Sequence, residues 1–413
     1  MKRSAPHASQ RTPRDALSVS DGTHRTATLE ATWARFAPAM KRAQITRIAD
    51  ITGLDTLGVP VFAAIRPMGR SLSTQQGKGI TAAHARVSAL MESLETWTAE
   101  NLALPTTSAS VAALGERAVD VTALPHPRGV LDDPPRTGRR STSRRSAKPA
   151  AWRSETWRWV AGRELVTDRE VLVPEQSVTL DTTFTTPPMF DISSNGLASG
   201  NVLVEAIAHG LAEVIERDAE AAWRRAGSDR RLVLDTIPDP ICRALIDRIT
   251  STGARIWIWD LEGIIPVVGC AIMEDPREPA WRALGFYQGF GAHVDARIAI
   301  ARAITEAAQT RLTYIAGARD DFFPFDYERA TDPHVLADLW ERMAAPCDTP
   351  ALFDDLPTRV TRSIDEDLDV MLEAVTRDGS SQVIVVDLTH PDLDVPVVKV
   401  LVPGRATDIE AMG

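Results

Sequence analysis

A chain of 413 residues with 44% hydrophobic and 25% charged content is a globular protein large enough for two or three packed lobes. Its net charge of −10 gives no bulk attraction to nucleic acid, no apolar run reaches the length of a membrane span, and the N-terminus lacks a secretion-signal core. A cytoplasmic protein is expected, with Cys242, Cys270 and Cys347 too scattered for a metal site and buried as small hydrophobes.

Residues 1–26 are polar, mildly basic and aperiodic, and are expected to form a disordered tail. From Ala27 the pattern tightens, and ITRIADITGLDTLGVPVFAAIRPM predicts strands and turns from short apolar runs punctuated by Gly and Pro. The GKG at Gly77 to Gly79 is not a phosphate loop. That loop needs a glycine where Leu72 stands and Ser or Thr where Gly79 stands. Lys78 nevertheless precedes a helix starting near Thr81 and is a candidate anion contact. On that helix His84, Ser88, Glu92 and Glu95 recur at spacings of four, four and three, so they share one face.

Residues 127–151 break the globular composition. Arg136, Arg139, Arg140, Arg144, Arg145 and Lys148 lie among Ser, Thr, Pro and Gly, which predicts a solvated, disordered insertion. Trp152, Trp157 and Trp159 follow in a predicted strand. The stretch Asp191 to Arg225 then opens as a Ser/Asn/Gly-rich loop and continues as a helix apolar almost all the way round. Its narrow polar strip is Glu205, His209, Glu213 and Glu216, again at four, four and three. Stacked carboxylates repel, and unpaired charge in apolar surroundings is costly. A solvated acidic face is the ordinary explanation of a glutamate stripe, but such faces are broad. A strip this narrow calls for a cation in front of it.

Further on, DPICRALIDRITSTGARIWIWDLE predicts helix, glycine turn and strand, while PVVGCAIMED and WRALGFYQGFGAH predict two more strands. Asp295 caps a third helix, on which Arg302, Glu306 and Gln309 share a face. A helix (DEDLDVMLEAVTRDG) and two strands (QVIVVDLT and VPVVKVLVPG) complete a domain spanning 27–404, leaving 405–413 as a tail. Strands grouped between helices, without strict βα alternation, predict an α+β fold.

Several glutamates are hard oxygen ligands suited to Mg²⁺ bridging a triphosphate, while Lys78 and Arg302 can neutralise phosphate oxygens. That predicts a nucleotide site built on helices. A zinc site fits poorly because the histidines are scattered, and a glycosidase needs two acids rather than five.

The segments GKGIT…SALMESLE, SSNGLASGN…EAIAHGLAEVIERD and RAITEAAQTR resemble the three signature segments of the YcaO family, in the family's order. The resemblance implies an α+β ATP-binding fold whose Glu-bearing helices hold Mg²⁺ and nucleotide. It further implies an enzyme that uses ATP to turn a peptide backbone amide oxygen into a phosphate leaving group. A Cys, Ser or Thr side chain (azoline), a sulfide source (thioamide) or an amine (amidine) then replaces that oxygen. Carried over by position, the first motif supplies Ser88, Glu92 and Glu95, the second Asn201, Glu205, Glu213, Glu216 and Arg217, and the third Arg302 and Glu306. Glu92, Glu95, Glu205, Glu213 and Glu216 are expected to hold Mg²⁺ and phosphates, with Arg217, Arg302 and Lys78 on phosphate or carboxylate. Glu213, Glu216 and Arg302 are expected at the chemistry, and His209 in a packing or supporting role.

The chain ends VPGRATDIEAMG, without the proline-rich tail of many azoline-forming members, and Thr96 follows Glu95 where many members have Arg. Together with ADITGLDTLGVPV and PVVKVLVPG, these departures look more like members that form thioamides with a TfuA partner. The expected partners are a precursor peptide or protein, a TfuA-like or leader-binding protein, and a second copy in a homodimer. An azoline cyclodehydratase and a non-catalytic ATP-binding accessory protein are the alternatives.

Overall fold

The computed structural model describes residues 19–20, 22–126, 131, 151–183, 188–278, 284–380 and 382–405. Two units within it share one plan, in which three antiparallel strands run directly into a long helix. In the first, Arg47–Asp50, Val61–Ile65 and Thr74–Lys78 pair in sequence order and lead to the helix Ala82–Glu100. In the second, Arg255–Asp260, Val267–Met273 and Tyr287–Ala292 lead to the helix Ala296–Ala316.

Both helices begin at a side-chain cap. The Thr81 hydroxyl accepts the His84 N–H, and the Asp295 carboxylate accepts that of Arg297. Both helices also press onto their last strand at a glycine. A Cβ on Gly77 would lie 1.9 Å from the Ala89 nitrogen, and one on Gly289 would lie 2.1 Å from the Ala307 nitrogen. Only glycine lets strand and helix backbones approach this closely. The alanine-rich helix faces follow from the same constraint, with Ala85, Ala89, Ala303 and Ala307 fully buried.

A third, six-stranded sheet runs in the order Thr107–Ser110, Thr156–Glu164, Ile384–Asp387, Val397–Leu401 and Leu197–Ser199. Glu170–Pro174 pairs with Thr156–Glu164. The helix Leu203–Ala226 follows Leu197–Ser199 almost immediately. Its apolar face (Leu211, Val214, Ile215) packs with Val398 and Val400 of the strand Val397–Leu401 and Met371 and Val375 of the helix Ile364–Arg377. Every named strand pair is antiparallel, so the architecture is α+β.

The strand Thr74–Lys78 lies between two of the long helices. Gln309 Nε2 donates to the Gln76 carbonyl at 2.7 Å, and the Thr313 hydroxyl donates to Gln76 Oε1 at 2.6 Å. This clamp brings the first and third glutamate helices together. Gln309 is thus used in holding the strand.

Some expectations are modified. The tail does not run free through residue 26, because residues 22–26 are described and several make specific contacts with the body. The rest of the tail, residues 1–18 and 21, lies outside the described residues, as do 406–413 and the basic insertion apart from Leu131 and Ala151. Cys242 and Cys270 are buried, but Cys347 is only half-buried, with its Sγ on the Asp229 carbonyl. The strand expected within WRALGFYQGFGAH is Tyr287–Ala292, and the start of that stretch, residues 281–283, lies outside the described residues. No helix among the described residues is long and apolar enough to cross a membrane.

Candidate active site

The three glutamate-bearing helices converge at the end of the strand Thr74–Lys78. Lys78 Nζ pairs with Glu306 Oε2, tying the first sheet to the third helix. Arg217 ties the second helix to the third, with its guanidinium 3.6 Å from Glu216 and 3.8 Å from Glu306. Glu306 Oε1 also accepts the Phe290 N–H at 3.4 Å, and the Ser88 hydroxyl accepts the Lys78 N–H at 3.4 Å.

The carboxylates are close enough to perturb one another. Burial raises the Glu95 carboxyl well above its ordinary range, and the charges of Glu92 and Glu213 push it further. Glu216 is raised by burial and by Glu306, against the pull of Arg217. Glu213 is pushed up to about 8, first by burial and then by Glu216 and Glu92. Glu92 keeps the most solvent contact of the set, yet the surrounding protein still desolvates it enough to raise it. Glu306 alone goes the other way: burial opposes its charge, but Lys78 and Arg217 hold it at about 2. Four carboxyls that resist ionisation therefore share the cluster with one that is firmly ionised.

Two buried atoms lack partners here, Glu216 Oε2 and Arg302 Nε. Buried polar atoms are rarely left unsatisfied in native proteins. An acceptor oxygen among carboxylates and a guanidinium donor whose charge acts on the same carboxylate suit a hard cation and a phosphate. The five carboxylates lie in the field of Lys78, Arg217, Arg302, Lys399 and Arg319, so Mg²⁺ and phosphate can enter together without leaving uncompensated charge.

His209 lies 3.2 Å from the Arg302 guanidinium. Burial and then the Arg302 charge drive its ring well below the ordinary histidine range. It is therefore neutral and accepts the Arg302 N–H, which orients that guanidinium.

Glu205 and Asn201 are not brought into this cluster. Glu205 precedes Glu213 by two turns, about 12 Å along the helix axis, and lies 3% exposed under the N-terminal segment. Its Oε2 accepts the Thr26 N–H at 3.0 Å and the Thr26 hydroxyl at 2.7 Å. Asn201 Nδ2 donates to both its oxygens at 3.2 and 3.3 Å, and Arg25 lies 3.4 Å away. Asn201 in turn accepts from Thr32 at 2.7 Å. The stripe thus has a carboxylate-cluster end and an end saturated by donors.

Two residues at the cluster escaped the sequence reading. Lys399, 3% exposed on the strand Val397–Leu401, donates to the Ser193 carbonyl and lies near Glu213 and Glu95, while burial pushes it down to about 8. A lone lysine inside the apolar run VPVVKVLVP was the available signal. Arg319, just past the third helix, acts on Glu92. No pattern announced it. A cavity of about 640 Å³ lies at the far end of the helix Ala82–Glu100, lined by Arg70, Trp157, Arg158, Asp181 and Phe190. It contains none of the clustered carboxylates.

An α+β fold whose three converging helices carry clustered carboxylates, with an unpartnered carboxylate oxygen and an unpartnered guanidinium N–H on two of them, suits a domain that binds Mg²⁺ and a nucleotide. The profile of the family described as YcaO cyclodehydratase, ATP- and Mg²⁺-binding, matches residues 76–406, and the chain belongs to the YcaO family. It is 34% identical over 409 residues to an uncharacterized protein in the tfuA 3′ region of Rhizobium leguminosarum bv. trifolii, covering 96% of this chain and 92% of that one. An uncharacterized protein of Methanothermobacter thermautotrophicus is 33% identical over 382 residues, covering 89% and 91%. The solved YcaO from Methanopyrus kandleri, bound with AMPPCP and Mg²⁺, superposes with a TM-score of 0.67 at 25% identity over 96% of both chains. A heterocyclase in complex with substrate and cofactor gives a TM-score of 0.75 at 26% identity. That match covers 93% of this chain, which spans about half of the heterocyclase (53%).

Proposed function

We propose that the protein uses ATP and Mg²⁺ to activate a backbone amide of a ribosomally made peptide or protein, and that a TfuA-type partner assists it in forming a thioamide. The observation that carries the reading is the convergence of Glu92, Glu95, Glu213 and Glu216 in one cluster, with Glu216 Oε2 and Arg302 Nε unpartnered. The four glutamates hold Mg²⁺, and Arg217 and Arg302 carry phosphate oxygens, with His209 fixing the second guanidinium. Lys78 and Glu306 keep the strand end and third helix in register. Glu205 and Asn201 flank the site on the side of the N-terminal segment.

In the proposed reaction the amide oxygen attacks the terminal phosphorus of ATP and ADP leaves. Sulfide then adds at the amide carbon and phosphate departs, so C=O becomes C=S. The relative from a tfuA region supports this choice of nucleophile and partner. Likeness to a heterocyclase supports the other reading, cyclodehydration by a Cys, Ser or Thr side chain.

The test is ATP consumption by the protein with Mg²⁺, candidate precursor peptide and sulfide, tracking peptide mass. A gain of about 16 Da with turnover abolished in Glu213→Ala establishes thioamidation. A loss of about 18 Da establishes cyclodehydration instead. ATP binding without turnover in the presence of peptide leaves the accessory role.

A further inference from the structure

Beside the saturated end of the site, three residues remote in sequence meet: His24 of the N-terminal segment, His293 just beyond the strand Tyr287–Ala292, and Asp367 in the first turn of the helix Ile364–Arg377. His24 Nδ1 is 2.8 Å from Asp367 Oδ2, and the Thr361 hydroxyl occupies Asp367 Oδ1. His293 packs edge-on against His24, with ring centroids 4.9 Å apart, and its Nε2 lies 3.7 Å from the same Oδ2. The side chains of His24 and Asp367 are 8% and 3% exposed. All three line a small cavity together with Glu205, His209 and Arg302.

Two histidines and a carboxylate at these distances invite a metal reading, with the nearest nitrogens and oxygen all within 4.8 Å of one another. The hydrogen bonding opposes it. The Asp295 backbone N–H donates to His293 Nδ1 at 3.0 Å, so that nitrogen supplies the lone pair. In a neutral ring the proton then sits on Nε2, which faces Asp367 and has no lone pair left for a metal. Burial keeps the ring neutral, its pKa held at about 4. The cluster is therefore one hydrogen bond, from His24 to a buried carboxylate, with the His293 N–H turned toward the same oxygen at 3.7 Å.

We infer that His24, Asp367 and His293 form a latch that holds the N-terminal segment over the Glu205 end of the nucleotide site, coupling latch closure to nucleotide binding. The inference rests on the nucleotide reading of that site. Thr26 and Arg25 are the next residues after His24, and both reach Glu205. Releasing His24 frees the segment that saturates Glu205. Because coupling is reciprocal, a nucleotide that binds better to the latched form must also protect the segment. His24 is a positioning residue here.

The test uses the full chain with His24→Ala, His24→Asn and Asp367→Asn. Trypsin cleavage at Arg25 is followed by mass, with and without Mg²⁺ and ATP, beside the kinetics of ATP turnover. In His24→Ala, cleavage accelerates, ATP no longer protects, and KM for ATP rises at least about fivefold while kcat changes little. Asp367→Asn moves both readouts the same way, and His24→Asn, which keeps an N–H near the position of Nδ1, restores them. Should His24→Ala fail to fold, Asp367→Asn alone carries the comparison. Unchanged cleavage, or faster cleavage at an unchanged KM, overturns the coupled latch. So does a stoichiometric transition metal that is lost in His24→Ala. A parent protein that neither binds nor turns over ATP refutes the nucleotide reading, and the coupling falls with it. Faster cleavage of His24→Ala in that case would show the anchor alone.

Discussion

Glu213 offers a prediction in which stability and function move in opposite directions. Its carboxyl has a pKa of about 8 in the folded protein and an ordinary value of 4.5 in the unfolded chain. A folded pKa above the unfolded one means that the native state holds the proton longer. Stability is therefore undiminished below about pH 4.5 and falls as pH rises through 8. At 1.36 kcal/mol per unit the full gap is worth about 5 kcal/mol above pH 8, and about 3 kcal/mol at pH 7. Glu213 keeps partial contact with solvent, so these are upper bounds. Glutamine has the same shape and no charge to desolvate. Nucleotide-free Glu213→Gln in EDTA should thus be more stable than the parent at pH 8, by up to about 4 kcal/mol, with the difference vanishing near pH 4.5. Urea unfolding across that pH range measures it. The same variant should lose the thermal stabilisation that Mg²⁺ with ATP gives the parent, because the site has lost an anionic ligand. A variant no more stable than its parent at pH 8, or one that keeps the Mg²⁺- and ATP-dependent shift, would refute the argument.

Three further outcomes follow from the same geometry. Gly77→Ala places a methyl 1.9 Å from the Ala89 nitrogen, so strand and helix must separate. The expected loss exceeds the 1–3 kcal/mol typical of overpacking, about 3 or more, and is read as a fall in the thermal midpoint. His209→Ala removes the acceptor that orients Arg302 and should lower kcat for ATP turnover by about tenfold with little change in stability. His209→Gln, which retains an acceptor oxygen, should recover part of that loss. Lys399→Met removes a cation that lowers the Glu213 carboxyl, so the acid limb of the kcat/KM profile should move to higher pH.

The helices and their polar faces were legible because each is written in local spacing. Four, four and three is a face whatever the helix packs against, and Asp295 caps its helix by chemistry confined to three residues. Convergence of the three faces followed only from the cost of leaving stacked carboxylates without cations, an argument that requires partners without placing them. It gave no reason to separate Glu205 from Glu213, and Arg217 was named only through the resemblance to the family's second signature segment. That separation depends on Thr26, close to 180 residues earlier, whose N–H and hydroxyl both reach Glu205. Lys399 was hidden for a similar reason. Its charge is stabilised by Glu213 and Glu95, which approach it only after the last strand has paired with Leu197–Ser199.

The repeated strand–strand–strand–helix unit has a functional consequence. In each copy a glycine on the third strand draws the helix backbone against the sheet, fixing the direction in which that helix presents its polar face. Lys78, at the end of one third strand, reaches Glu306 on the other unit's helix, while Phe290 of the second unit's third strand gives its N–H to the same carboxylate. Glu306 is thereby fixed from both units and is the one clustered glutamate whose charge is favoured without an added cation. The remaining glutamates gather around that fixed charge. Desolvation keeps them protonated, so a cation entering among them would have to displace those protons. A site assembled this way is rigid where the two units meet and electrostatically incomplete at its centre, so binding energy can go into organising phosphate rather than into closing the fold.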